Sequence, residues 1–95
     1  MTLRWQLWEG TLGEESPTTV ALSDAGVLAI VLSVHDPEQP GRWRAAEHGE
    51  QKSQGAGFHA TVEPGPVGAA GDVVTIWFDG RLREERVRIA YALVG

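Results

Sequence analysis

Residues 73–94 constrain the fold more than any other stretch, because they spell strand, turn and strand in succession. Val73-Val74-Thr75-Ile76-Trp77-Phe78 is a β-branched and aromatic run, the composition that suits a pleated, packed surface. Asp79-Gly80 follows, the kind of pair a two-residue type I′ turn takes, since both central positions need φ > 0. Val87, Ile89, Tyr91 and Leu93 then alternate with Arg86, Arg88, Ala90 and Ala92, a period of two. The pattern predicts a β-hairpin. Its first strand is apolar on both faces, Val74, Ile76 and Phe78 on one and Val73, Thr75 and Trp77 on the other, so a cover is expected on each side.

The same signals recur along the chain. Leu3, Trp5 and Leu7 alternate with Arg4, Gln6 and Trp8, predicting a first strand whose core face is the Leu3, Trp5, Leu7 set. Residues 18–22 begin a second strand, with a turn at Ser23-Asp24-Ala25-Gly26 leading into 27–35. That third strand is also apolar on both faces. Pro37 and Pro40 stop it, because proline brings no N–H to a ladder. Residues 42–47 read as a short strand around Trp43, residues 48–57 as a polar mobile loop, and residues 58–63 as a half-buried strand. About seven short strands and no helix predict an all-β fold, an antiparallel β-sandwich formed by one domain over residues 1–95. A small closed β-barrel is the alternative, since closure would also explain strands apolar on both faces.

A chain of 95 residues buries only roughly 60–65% of its unfolded surface, enough for a thin core. It has no cysteine, which removes disulfides and thiolate chemistry and leans toward a cytoplasmic setting. Neither a signal-peptide pattern at the start nor an apolar run of membrane-spanning length is read. Arginine outnumbers lysine seven to one and asparagine is absent, a composition that suggests a GC-rich bacterial genome. The formal charge of −5 argues against nucleic acid, whose phosphates demand Lys and Arg. Six of the eight cations are Arg42, Arg44, Arg81, Arg83, Arg86 and Arg88, predicting a basic stripe on an acidic bulk. The plainest account of that stripe is solvated strand faces with cross-strand Arg–Glu pairs.

Two fragments have family look-alikes. Residues 21–28 carry an A-x-x-x-x-G-V-L spacing that resembles the signature of α-crystallin-type small heat-shock proteins. Gly55-Ala56-Gly57-Phe58, with Gly71-Asp72-Val73-Val74 and Asp79-Gly80-Arg81, is similar to parts of PDZ domains. In the first family the motif lies near the domain's end, whereas most of this chain's β structure still follows it. In the second, the segment after Gly80 is too short for the closing helix and strand. Neither is adopted.

No catalytic constellation is found: no nucleophile-elbow pattern surrounds any serine, and no glycine-rich loop joins a strand to a helix. His35, His48 and His59 lack metal-ligand spacing, so neither metal nor cofactor is assigned. The four tryptophans carry the functional expectation. Trp5 is assigned to the core, while Trp8, Trp43 and Trp77 are assigned to the outside. Trp and Arg are the residues that anchor protein interfaces. The expectation is a non-enzymatic module that self-associates, most simply as a dimer, or docks on another protein. Its anchors would be Trp8, Trp43 and Trp77, with Arg42, Arg44, Arg83 and Arg88 at the rim, and Trp77→Arg should yield a folded monomer. The alternatives are a barrel that binds a small ligand, with or without turnover, and an inhibitor or immunity-type protein whose acidic surface covers a basic partner.

Overall fold

A computed structural model describes residues 2–50, 52–55 and 57–95, with only the backbone described at 48–50. Among the described residues nine strands follow one another: β1 (Leu3–Thr11), β2 (Thr18–Ala21), β3 (Ala29–His35), β4 (Trp43–Ala45), β5 (Glu47–Glu50), β6 (Lys52–Gly55), β7 (Phe58–Glu63), β8 (Val73–Phe78) and β9 (Arg86–Val94). One short 3₁₀ turn, Gly80–Leu82, lies between the last two. All pairings are antiparallel. Sheet I comprises β1, β9, β3 and the β4–β5 segment; sheet II comprises β6, β7, β8 and β2. The two pack face to face, and the shortest dimension of 17 Å leaves room for two layers about 10 Å apart. The sandwich reading is therefore correct. The barrel alternative is not, because β1 and β2 remain as separate edges and the sheets do not close.

The core is one cluster built by period-two alternation. Ile30, Leu32 and Val34 of β3, Ile89 and Tyr91 of β9, and Val74 and Ile76 of β8 point between the sheets and are buried. Side chains fill that interior, as expected of a sandwich. Among the described residues, no helix is long and apolar enough to cross a membrane.

β5 links the sheets. Ser33 faces Ala45, whereas Ile30 faces Gly49, so the strand beside β3 carries one extra residue, a β-bulge at Ala46. The bulge opens a gap in the ladder, which a side chain fills. The buried Ser53 Oγ accepts the Leu32 N–H (3.1 Å) and donates to the Glu47 carbonyl (3.3 Å). Ala46 N–H still reaches the Leu32 carbonyl at 3.0 Å. Residues 48–57, expected as a loop, therefore carry most of β5 and β6; Gln51 and Ala56 lie outside the described residues.

The hairpin expected over residues 73–94 does not form. β8 pairs with β7 and β2, while β9 pairs with β1 and β3, so the connection crosses from one sheet to the other. Asp79 has φ −66° and is not a type I′ turn residue; its carboxylate accepts the Arg81 N–H and caps the 3₁₀ turn. Leu82 is buried beneath the crossover. Each strand has an apolar inner face, and a separate layer satisfies each one.

At the far end, a polar cluster ties the loops to the sheets. Asp72 Oδ2 accepts the Val27 N–H at 2.9 Å, and Tyr91 donates its hydroxyl to Asp24 Oδ2 at 2.8 Å. Burial, then the bond to Asp24, pushes the Tyr91 phenol above its ordinary pKa. Gly71 lies so close to this loop that a Cβ there would sit 2.3 Å from the Leu22 carbonyl oxygen.

Candidate functional site

Strand register determines which side chains share a face, since directly opposed residues of an antiparallel pair lie on the same side. On the outer face of sheet I, Leu3 stands opposite Val94, Trp5 opposite Ala92 and Ala29, and Leu7 opposite Ala90 and Val31. These three rows are apolar. The next row holds Glu9, Arg88, Ser33 and Ala45, and the last pairs Thr11 with Arg86 and His35 with Trp43. Leu3 is 44% exposed, Trp5 47%, Leu7 60% and Val94 61%.

This inverts the expectation for β1. Trp5 is not core, and Trp8 is not an outer anchor: it is half-buried and packs against the core cluster. Its ring lies over Gly10, where a Cβ would come within 2.3 Å of the indole. The cause is register. Trp8 pairs with Ile89 and Gln6 with Tyr91, and β9 must turn Ile89 and Tyr91 inward. The neighbouring Leu3, Trp5 and Leu7 are thereby carried outward.

Trp43 and Arg88 do come together. The Arg88 guanidinium lies 4.0 Å from the Trp43 ring centroid and that of Arg86 lies 5.5 Å away, a double cation–π contact. Arg88 also meets Glu9 at 3.1 Å across the β1–β9 pair. His35 approaches Trp43 edge-on at 5.7 Å. Its Nδ1 donates to Glu85 Oε2 (2.8 Å), and its Nε2 accepts the Gly41 N–H (3.4 Å). The result is a charge-balanced aromatic cluster beside the apolar rows.

The other assigned residues lie elsewhere. Trp77 is on the outer face of sheet II, stacked flat on His59 with centroids 4.7 Å apart. The pair forms one wall of an open surface cleft of about 350 Å³ that also involves Ser16, Gln54 and Phe78. Arg44 points to Asp36 (3.4 Å), Arg42 donates to Gln39 (2.8 Å) and Arg83 donates to the Gly80 carbonyl (3.0 Å). The predicted basic stripe is thus dispersed into local pairs. The bond from the Glu38 N–H is the main reason that the Asp36 carboxyl lies below its ordinary pKa; Arg44 helps, and burial opposes. The three tryptophans chosen as one anchor set therefore occupy three environments: the inner side of β1, the outer face of sheet I and the outer face of sheet II.

His35 and His59 lie on opposite outer faces and do not converge, while the His48 side chain lies outside the described residues. Among the described residues, no group of three His, Cys, Asp or Glu is placed to hold a metal ion. Sequence reasoning missed Leu3, Trp5 and Leu7 as surface residues. The available signal was the equal alternation of β1, which leaves either face free to turn inward.

No family model matches the chain, and no curated protein or solved structure is significantly similar to it.

Proposed function

We propose that this chain is a non-enzymatic protein–protein interaction module that docks through the outer face of sheet I. The observation that carries the reading is the exposure of Leu3, Trp5, Leu7 and Val94 along three apolar rows, flanked by the Trp43, Arg86 and Arg88 cluster. Leu3, Trp5, Leu7 and Val94 are all exposed and together leave on the order of 400 Å² of apolar side chain in water, the size of the largest patch on a typical monomer, which is often functional. The flanking cluster supplies Trp and Arg, the residue types enriched at binding hot spots, with Glu9 paired to Arg88 and His35 edge-on to Trp43.

The test is site-specific photo-crosslinking, with the reactive side chain placed at Leu7 on sheet I or at Thr75 on sheet II. Discrete protein adducts, including chain-to-chain adducts, should form from position 7 and not from position 75. Adducts from position 75 alone, or none from either, overturn the docking face.

A further inference from the structure

The outer face of sheet II carries a second site, unlike its surroundings in how its polar groups are used. Register builds it: Gln54 stands opposite His59, and His59 opposite Trp77, so the three side chains share one outer row. That row borders the open cleft of about 350 Å³, a volume within the range of small-molecule sites. A Cβ on Gly55 would come within 2.8 Å of the Phe58 ring, so glycine is what lets that buried ring lie against the backbone. Gly57 has φ +83°, in the left-handed region that favours glycine, and its carbonyl accepts the Asp79 N–H at 2.7 Å. On the β2 side, Ser16 Oγ accepts the Phe78 N–H at 3.0 Å.

Two observations set this cleft apart. First, the side chains of Gln54, His59 and Trp77 are exposed, and apart from the His59–Trp77 stack they bond to no other described residue. His35, by contrast, has both ring nitrogens engaged. The Gln54 amide, the Trp77 indole N–H and the His59 nitrogens therefore meet water, whose place the polar groups of a ligand can take. Second, none of the eight residues around the cleft is Asp, Glu, Lys or Arg. The cleft of about 480 Å³ beside the β3–β4 turn is instead lined by Asp36, Glu38, Arg42 and Arg44. Those groups are already taken up, Arg44 by Asp36, Arg42 by Gln39 and Glu38 by Arg81.

We infer that the Trp77 cleft binds a neutral pyranose sugar. Such a ring brings a C–H face to the aromatic wall, hydroxyls that both donate and accept to Gln54, His59 and Ser16, and no charge. A charged ligand would find no counter-ion among the lining residues. A wholly apolar one would strip water from Gln54 and His59 without replacing its hydrogen bonds. The site is separate from the docking face of sheet I, and either can fail without the other. A single ring of about a dozen non-hydrogen atoms in an open cleft sets a dissociation constant on the order of 1 mM.

The test is titration of the isotopically labelled protein with glucose, galactose, mannose, N-acetylglucosamine and cellobiose, followed by amide and indole NMR. For at least one sugar, saturable shifts should appear at the Trp77 indole N–H, the Gln54 side-chain amide and the Gly57 N–H, with the Trp5 indole N–H unmoved. Gln54→Ala should weaken binding by about fivefold and leave the urea midpoint unchanged. Trp77→Ala should weaken it by about tenfold or more. Glucuronate should bind more weakly than glucose. Tighter binding of cellobiose than of glucose would mean that the ring is read within a glycan chain, and equal binding that it is read as a free sugar; both sustain the site. The inference is overturned by the absence of saturable shifts with every sugar, by equal shifts at Trp5, by binding that survives both substitutions, or by tighter binding of glucuronate.

Discussion

Sheet II turns Thr19, Thr75, Thr61 and Lys52 to water in one cross-strand row, with Ala21, Val73 and Glu63 on one side of it and Trp77, His59 and Gln54 on the other. The same rows of sheet I carry Leu7, Ala90 and Val31, or Trp5, Ala92 and Ala29. Both faces come from strands that alternate, and both sheets contribute to the core. Their outer characters differ in how many large apolar side chains reach water: in sheet II Trp77 is stacked on His59 and 36% exposed, and Val73 is half-buried between Ala21 and Glu63. In sheet I the large side chains sit on the edge strand, which has a neighbour on one side only. An apolar strand face is thus no sign by itself of a covering layer; what counts is whether it lies mid-sheet or at an edge.

The largest test of this contrast asks which way β1 is turned. Trp8→Ala should cost about 2–3 kcal/mol in urea unfolding and Trp5→Ala about 1 kcal/mol or less. The reverse order would put Trp5 inside and erase the apolar character of sheet I's outer face. Next comes the corner that separates the two sheets. Ser53→Ala leaves the buried Leu32 N–H without its acceptor and should cost about 1–2 kcal/mol. An unchanged unfolding midpoint would mean that the Ser53 hydroxyl is not what bridges the bulge.

A smaller effect sharpens the account of the Trp43 end. The Asp36 carboxyl is held below its ordinary pKa in the folded state. Its contribution to stability is therefore complete above the unfolded value of about 3.9 and is lost as pH falls through the folded one. Asp36→Asn should be less stable than wild type near neutral pH, and urea midpoints of the two should converge below about pH 4. A gap independent of pH would assign the role to packing.

The smallest effects on stability lie on the outer faces themselves. Leu7→Lys and Thr75→Lys should each shift stability by no more than about 0.5 kcal/mol, yet only Leu7→Lys should reduce binding of a hydrophobic dye and alter the mass seen by sedimentation. Trp77→Arg should leave the assembly unchanged. If Trp77→Arg dissociates an assembly, the functional face belongs to sheet II.

Much of the fold was legible in the chain. Alternation in 58–63 and 86–94 and the β-branched run 73–78 mark strands, and Val62, Ile76 and Ile89 turn inward within them, because a side chain at every second position must share a face. The paired prolines correctly end β3. β5 and β6 were missed because their polar, glycine-bearing residues owe their extended form to neighbouring strands and to the Ser53 bond, not to local propensity. The Trp43 cluster was half legible, since Trp43 and Arg88 were both singled out. Their meeting depends on β4 and β9 flanking β3, which no spacing announces.

By itself, the sequence determined that this chain is all-β, where most strands run and which residues share a face, since these follow from local sterics and a period of two. The tertiary structure alone decided that residues 73–94 split between two sheets, that β1 turns Leu3, Trp5 and Leu7 to water, and that one edge is long and the other blunt. Those outcomes rest on strand pairing. A strand's neighbours are set by contacts distant in sequence, and a shift of one residue in register exchanges its inside for its outside.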